Sequence, residues 1–98
     1  MSKGYTYILL CADNTFYTGS TINLKRRIKE HQSGCGANYT MTRLPVILVY
    51  YEEYDHIDHA FFREKQIQGW SRAKKEALIK GNKNMLKELA KKYFYKRL

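Results

Sequence analysis

Five polar residues are spaced along the first two-thirds of the chain, where packing alone would favour other residue types: Tyr7, Tyr17, Arg27, His31 and Glu64. Together they supply two phenols, a guanidinium, an imidazole and a carboxylate. Arginine can balance the charge of a phosphate, a carboxylate can hold a divalent metal ion, and phenols and imidazoles can move protons. The set is therefore suited to the hydrolysis of a phosphodiester bond.

The composition indicates a single folded domain with an anionic partner. The 98 residues include 18 Lys and Arg against 9 Asp and Glu, which gives a formal net charge of +9. Such a charge predicts a polyanion as the partner. The hydrophobic content of 44% excludes a disordered tail, and the length predicts one domain over residues 1–98.

The location of the protein is predicted from its N-terminal segment and its cysteines. The apolar run over residues 5–11 is too short for a signal peptide or a membrane span, so we expect a cytoplasmic protein with no membrane partner. Cys11 and Cys35 form no CxxC pair, and we expect both to be reduced thiols, Cys11 buried in a strand and Cys35 in a loop.

The remaining pattern predicts strands followed by helices. Residues 5–11 and 16–19 flank a turn-forming tetrad and predict a β-hairpin, while residues 46–51 predict a third, fully buried strand. Asn23 and Ser71 are predicted N-caps of helices that end near residues 33 and 79, and another helix is predicted over residues 58–70. A basic amphipathic helix is predicted over residues 83–95. The fold class is therefore α/β of the α+β type, with residues 34–45 as a loop.

Helical geometry separates Arg27 and His31 from the other basic residues around them. They lie four residues apart, beside the Leu24 and Ile28 stripe, whereas Lys25 lies on the solvated face. A structural alternative exists for each residue. Arg27 can lie over apolar surface, and His31 can be a buried, hydrogen-bonded side chain.

Glu64 is the residue that packing explains least well. In the predicted helix it falls inside an apolar stripe formed by Ile57, Ala60, Phe61 and Ile67. Burying an unpaired carboxylate is costly. The sequence leaves two partners open, a divalent metal ion or a cation such as Arg27.

The ordered set of motifs resembles the GIY-YIG nuclease domain, and in particular the small stand-alone bacterial proteins of that superfamily. The resemblance covers residues 4–80 and rests on these stretches: Tyr5-Thr6-Tyr7, Tyr17-Thr18-Gly19-Ser20-Thr21, Asn23-Leu24-Lys25-Arg26-Arg27, Glu30-His31, residues 39–46, and Arg63-Glu64-Lys65-Gln66-Ile67. The first motif has Tyr5 and Thr6 in place of Gly and Ile, and the second has Thr18 in place of Ile. Both tyrosines and Gly19 are kept.

The resemblance implies a small three-stranded antiparallel sheet flanked by helices and metal-dependent cleavage of a phosphodiester. By position, Glu64 would hold one divalent ion, Mg²⁺ or Mn²⁺, and Arg27 would stabilise the pentacovalent phosphate. Tyr7 would help to deprotonate the attacking water, while Tyr17 and His31 would orient or accept that proton. A phenol has an ordinary pKa of about 10, so a tyrosine base needs a nearby cation, metal or imidazole.

Further site residues are predicted around this set. The family places an Asn near the site late in the domain, and Asn82 is our choice, although Asn84 is two residues away and either can be an N-cap. The nucleic-acid-binding residues are predicted to be Gly19, Lys25, Tyr39 and Arg43, with Tyr39 stacking on a base and Arg43 meeting a phosphate.

The sequence thus predicts a divalent-metal-dependent endonuclease that acts on nucleic acid, DNA in preference to RNA. Because no recognition helix or second domain is evident, we expect selection of DNA structure, with a place in DNA repair or processing, and a monomer. The alternative is a non-catalytic DNA- or RNA-binding module on the same fold, which would explain the net charge without turnover.

Overall fold

The computed structural model describes residues 3–81 and contains a three-stranded antiparallel sheet with four helices in that range. The elements are β1 (Gly4–Leu10), β2 (Phe16–Thr21), α1 (Leu24–Gln32), α2 (Asn38–Met41), β3 (Ile47–Tyr54), α3 (Ile57–Gln68) and α4 (Arg72–Lys80). The strand order is β2-β1-β3. The predicted hairpin, third strand and α+β class are confirmed. In the described part of the chain, each helix is too short or too polar to cross a bilayer.

The hairpin turn is held by the tetrad that the sequence singled out. The Asp13 carboxylate accepts hydrogen bonds from the Thr15 backbone N–H at 3.2 Å and from its hydroxyl at 2.6 Å. Asn14 takes the left-handed conformation, with φ of 69°, which Asn adopts more readily than most residues. The Cys11 N–H donates to the Thr15 carbonyl at 2.8 Å and closes the turn. This turn makes β2 the edge strand beside the central strand β1.

The two faces of the sheet bury different clusters. On one face, Tyr7, Leu9 and Leu48 pack against Leu24 and Ile28 of α1. On the other face, a cluster joins the sheet to α3 and α4; its buried members are Ile8, Tyr50, Ile67 and Ile79. Because side chains alternate along a strand, neighbouring residues of β1 serve opposite clusters. The single sheet therefore positions α1 and α3 on opposite sides of β2 and β1.

Close backbone contacts fix α3 against the sheet. The buried Thr6 hydroxyl donates to the Ala60 carbonyl at 2.7 Å. Gly4 leaves room for the helix start, since a Cβ there would lie 2.5 Å from the Ile57 Cα. Arg63 binds both oxygens of Glu52 on β3, at 2.9 and 3.1 Å. These contacts set the rotation of α3, and with it the direction of Glu64.

The predicted helix ends are largely confirmed, and two local features differ from the prediction. The Asn23 and Ser71 side chains accept the predicted capping hydrogen bonds. The loop after α1, however, contains the short helix α2, which was not predicted because four residues carry no readable period. The third strand extends to Tyr54 and is only partly buried, with Leu48 in one cluster and Tyr50 in the other. A shift in its register with β1 opposite Ile8 and Leu9 puts these two buried residues on opposite faces of the sheet. The helix predicted over residues 83–95 lies outside the described residues.

Candidate active site

The Tyr7 side chain lies over the edge strand β2, opposite a glycine. Its Cα pairs with that of Gly19 in β2, and only 1% of the Tyr7 side chain is exposed. A Cβ on Gly19 would lie 2.4 Å from the Tyr7 hydroxyl and 2.5 Å from its Cζ, so the phenol lies directly over the Gly19 backbone. Any larger residue at this position would occupy the volume of the phenol. Gly19 therefore makes room for the Tyr7 phenol.

A buried chain of hydrogen bonds links Tyr7, His31 and Thr40. The Tyr7 hydroxyl and the His31 Nε2 are 2.8 Å apart, and the His31 Nδ1 lies 2.8 Å from the Thr40 Oγ1. The Thr40 hydroxyl donates its single proton to the Ala37 carbonyl at 3.1 Å. It must therefore accept from the His31 Nδ1–H. In the neutral ring Nε2 then carries no proton and accepts the hydrogen bond that Tyr7 donates.

Electrostatics favour this neutral ring. Burial, together with the positive charge of Arg27, lowers the pKa of His31 from 6.5 to about 4. Burial also raises the pKa of Tyr7 well above its ordinary value, and the adjacent Arg27 guanidinium opposes part of that rise. At neutral pH the pair is thus a protonated phenol donating to an unprotonated imidazole nitrogen. This arrangement is ready to pass a proton from tyrosine to histidine.

Sequence reasoning missed two residues that support His31. Thr40 is fully buried and fixes the tautomer, but it lies in the segment that was predicted to be a loop. A Cβ on Gly36 would lie 2.3 Å from the His31 Nδ1, so this glycine gives space to the imidazole. The available signals were the glycines around Cys35, which were interpreted only as loop residues, and the resemblance over residues 39–46, which did not indicate a contact with His31. Cys35 is exposed there and Cys11 is buried, and neither is in a disulfide, as predicted.

Glu64 approaches β2 from the opposite side of the sheet. Its side chain is 12% exposed. The Ser20 hydroxyl donates to its Oε1 at 2.5 Å and the Gln68 side-chain amide donates to its Oε2 at 2.7 Å, while the Lys65 ammonium is 3.7 Å from Oε2. Because Ser20 is adjacent to Gly19, the carboxylate lies beside the strand position that the Tyr7 phenol covers. Most of the Glu64 side chain is therefore covered, while the residue as a whole is only partly buried.

The surroundings of Glu64 differ from the prediction in two respects. Phe61 was placed in the apolar stripe but is 53% exposed, because α3 turns only its Ala60 and Ile67 side towards the sheet. Arg27 is not the ion-pair partner of Glu64, since its guanidinium binds Glu30 at 3.0 Å, one turn along α1. Neutral donors therefore hold the Glu64 carboxylate, and its charge is only weakly balanced by Lys65.

The donor set around Glu64 fits one kind of metal site. Within residues 3–81 no group of three His, Cys, Asp or Glu side chains is assembled that could enclose an ion. A single carboxylate suits Mg²⁺ or Mn²⁺, which commonly retain waters and share phosphate oxygens with one or two protein ligands. Each Glu64 oxygen is oriented by one donor and keeps a second lone pair free. Glu64 therefore fits the predicted ligand of a single ion.

The predicted nucleic-acid-binding residues lie at different distances from this centre. Tyr39 stacks on Tyr17, with ring centroids 5.9 Å apart, and Tyr17 in turn lies 5.2 Å from the His31 ring. Arg43 covers the Tyr39 ring at 3.8 Å and binds Asp13 at 3.0 Å. Lys25 is exposed in the first turn of α1. The structure thus joins Tyr39 to the site, while Arg43 already has protein partners.

Asn82, predicted as a site residue, and its neighbour Asn84 lie outside the described residues.

Comparison with known proteins gives a consistent family match. A family model described as the GIY-YIG catalytic domain matches residues 3–77. A UPF0213 protein of Syntrophus aciditrophicus is 52% identical over 83 residues, which is 84% of this chain and 95% of that protein. The UPF0213 protein NP_0776A of Natronomonas pharaonis is 52% identical over 75 residues, 76% of this chain and 88% of that protein.

Two solved structures are similar in both sequence and fold. The solution NMR structure of the UPF0213 protein BH0048 from Bacillus halodurans has 42% identity and a TM-score of 0.53, over 80% of this chain and 83% of that one. The solution NMR structure of the protein EF2693 from E. faecalis has 38% identity and a TM-score of 0.55, over 83% and 86%. The α+β fold with its three-stranded antiparallel sheet is shared with these proteins.

Proposed function

The chain belongs to the GIY-YIG catalytic-domain family, a family of nucleases, and on that premise we propose that it is a divalent-metal-dependent endonuclease that hydrolyses phosphodiester bonds in DNA. The observation that carries the proposal is the buried chain from Tyr7 through His31 to Thr40, whose Tyr7 hydroxyl lies over Gly19, the neighbour of the Ser20 that binds Glu64. We further propose that the enzyme is a cytoplasmic monomer that serves DNA repair or processing.

Tyr7 and His31 would act together to deprotonate the attacking water. As the water oxygen bonds to phosphorus, one of its protons moves to the Tyr7 oxygen, and the original Tyr7 proton moves to the His31 Nε2. The product is an imidazolium that still donates from Nδ1 to Thr40. Because burial and Arg27 disfavour that cation in the free protein, the bound phosphate must favour it by its negative charge. Proton transfer is thereby coupled to substrate binding.

Arg27 and the metal ion held by Glu64 would stabilise the negative charge of the phosphate during cleavage. The Arg27 guanidinium, oriented by Glu30, would stabilise the additional negative charge of the pentacovalent phosphate. Glu64 would hold the Mg²⁺ or Mn²⁺ ion, which supplies Lewis-acid stabilisation of the phosphate and the leaving oxygen when bound. Ser20 and Gln68 would keep the carboxylate in one orientation. Tyr17, which contacts both Tyr7 and His31 through its ring, would hold the phenol and the imidazole in place.

The test is cleavage of supercoiled plasmid and branched DNA by the purified protein with Mg²⁺ or Mn²⁺. We expect Glu64→Gln and Arg27→Ala to lower the rate roughly 100- to 1,000-fold and Tyr7→Phe by at least about 100-fold. The exposed neighbour Arg26 gives a matched control, and Arg26→Ala should stay within about threefold.

Two results separate the outcomes of this experiment. A wild-type protein that cuts no faster than Glu64→Gln in either metal contradicts the proposal. Salt-dependent DNA binding that survives Glu64→Gln, without cleavage by the wild type, supports the non-catalytic binding module instead.

A further inference from the structure

The Tyr39 ring is stacked between two groups of the protein itself. Tyr17 lies against one face, with ring centroids 5.9 Å apart and an angle of 26° between the planes. The Arg43 guanidinium lies over the other face, 3.8 Å from the ring centre. Although 37% of Tyr39 is exposed, both faces of its ring are therefore occupied. The predicted stacking of Tyr39 on a base has no ring face to use in this structure.

Arg43 is fixed by contacts with the segments on either side of it. Its Nε binds the Asp13 carboxylate of the hairpin turn at 3.0 Å, and its Nη1 donates to the Tyr39 carbonyl at 2.8 Å. Its own carbonyl accepts a hydrogen bond from the Ala12 N–H at 2.9 Å. A guanidinium with such partners keeps its plane in one orientation, which suits stacking on an aromatic ring. The hairpin turn thus fixes the outer face of Tyr39.

The inner end of the stack reaches the proposed proton path. The Tyr17 ring lies 5.2 Å from the His31 ring and 6.4 Å from the Tyr7 ring, measured between centroids. Tyr17 is only half-buried in the edge strand β2, and an open cleft of about 230 Å³ lies beside it and Tyr39. A Tyr17 ring that is not held therefore has space to turn outward, away from the imidazole.

The short helix α2 supports the imidazole through two successive residues. Tyr39 holds the Tyr17 ring that lies beside His31, and Thr40 lies 2.8 Å from the His31 Nδ1. The Arg43 N–H donates to the Thr40 carbonyl at 3.0 Å, so the residue that covers Tyr39 also fixes the end of the helix. The segment over residues 39–43 therefore holds the imidazole as one unit.

We propose that Tyr39 is a positioning residue that acts through Tyr17. Held by Arg43, it keeps the Tyr17 ring against the tyrosine and histidine of the proton path. The inference rests on the proposed function, because that path belongs to the proposed cleavage. A displacement of reacting groups by about 1 Å is enough to lower a rate about 100-fold, so a ring that limits their movement affects catalysis without contact to the substrate.

Cleavage kinetics separate positioning from DNA binding. Tyr39→Ala should lower kcat roughly 10- to 100-fold and change KM for the DNA by less than about threefold. Tyr39→Phe should retain the wild-type kcat, since phenylalanine keeps the stacked ring. Met41→Ala, at an exposed position of the same helix, is the matched control and should change neither constant. A Tyr39→Ala protein with a raised KM and an unchanged kcat is what a base-stacking residue would give, and it overturns the proposal.

NMR of the full chain reads the same stack without DNA or metal. In the wild type, NOEs should connect the ring protons of Tyr17 and His31, whose centroids are 5.2 Å apart. Tyr39→Ala should weaken these NOEs, and Met41→Ala should leave them unchanged. Arg43→Met should weaken them too, because it removes the guanidinium that holds Tyr39. Arg43→Met retains both rings, so it decides the matter if Tyr39→Ala fails to fold.

Failure of the inference and failure of the proposed function give different results. NOEs that stay unchanged in the folded variants overturn the positioning role, whether or not the protein cuts DNA. Weakened NOEs in variants of a protein whose wild type never cuts support the stack and remove the proposed catalysis.

Discussion

Replacement of Gly19 by alanine tests whether the glycine exists to accommodate the Tyr7 phenol. The new methyl carbon would lie 2.4 Å from the Tyr7 hydroxyl and 2.5 Å from Cζ. Ordinary contacts between such atoms are about 3.5 Å, so the end of the ring must move by about 1 Å. Tyr7 is only 1% exposed and is packed in the α1 cluster, which leaves it no free space for that movement.

The magnitude follows from what the movement breaks. Overpacking a buried site costs typically ~1–3 kcal/mol, and separating the Tyr7 hydroxyl from the His31 Nε2 leaves two buried polar groups partly unpaired, which adds roughly another 1 kcal/mol or more. We therefore expect Gly19→Ala to lower the free energy of unfolding by about 2–4 kcal/mol. Under the proposed mechanism, a displacement of the Tyr7 hydroxyl by about 1 Å also lowers the cleavage rate by about 100-fold.

Urea unfolding followed by circular dichroism measures the first effect, and plasmid nicking measures the second. Gly69→Ala is the matched control, because a Cβ there would meet its nearest atom at 3.5 Å and φ is −81°. That control should change stability by less than about 1 kcal/mol. In a Tyr7→Leu background, where the phenol is absent, most of the destabilisation by Gly19→Ala should disappear. An equal loss in both backgrounds refutes the reasoning.

Three further predictions concern the groups that support the site. Thr40→Val should destabilise the protein by about 1–3 kcal/mol, because the His31 Nδ1–H loses its acceptor. In this variant ¹⁵N NMR should also show a changed His31 tautomer. Thr42→Val, at an exposed position, should change neither the stability nor the tautomer. The His31 pKa is lowered to about 4 in the folded protein, so the unfolded chain binds this proton more tightly. Stability from this source should be complete above about pH 6.5 and should fall by up to about 3 kcal/mol towards pH 4, and this component of the urea-unfolding profile should be absent from His31→Gln. Arg63→Ala should lower the free energy of unfolding, measured in urea, by about 1–3 kcal/mol, because Glu52 then keeps a largely buried charge without its cation. A loss no greater than that caused by Arg72→Ala, which breaks an exposed ion pair, would contradict this role.

Local sequence signals were sufficient for the three strands and for every described helix except α2. The turn tetrad, the Asn23 and Ser71 caps and the spacing of Leu24 and Ile28 depend on neighbours only a few residues away, so they can be read directly from the chain. The same periodicity predicted that Glu64 is desolvated. The helical periodicity gave the wrong result for Phe61, which is exposed, because the spacing of apolar residues does not determine how wide the contact between α3 and the sheet is.

The site itself depends on contacts that no local pattern encodes. Tyr7 and His31 are 24 residues apart, and Ser20 and Glu64 are 44 apart. Their meeting depends on strand register and on how closely α1 and α3 approach the sheet. Thr40 lies in one of the stretches that carry the resemblance, but nothing local indicated its role, since that role comes from one hydrogen bond across the fold. The family resemblance supplied the residue set, and the register of β1 and β2 at Gly19 decided how those residues come together.

What the sequence by itself determined is therefore the chemical inventory, the described elements other than α2, and the net charge of +9. Only the tertiary structure decided the direction of the proton path, the neutral partners of Glu64 and the stacking of Tyr39 on Tyr17. The physical reason is that side-chain types and helix or strand periods are local properties of the chain. Hydrogen-bond direction, desolvation and ring stacking arise only when distant segments pack against one another.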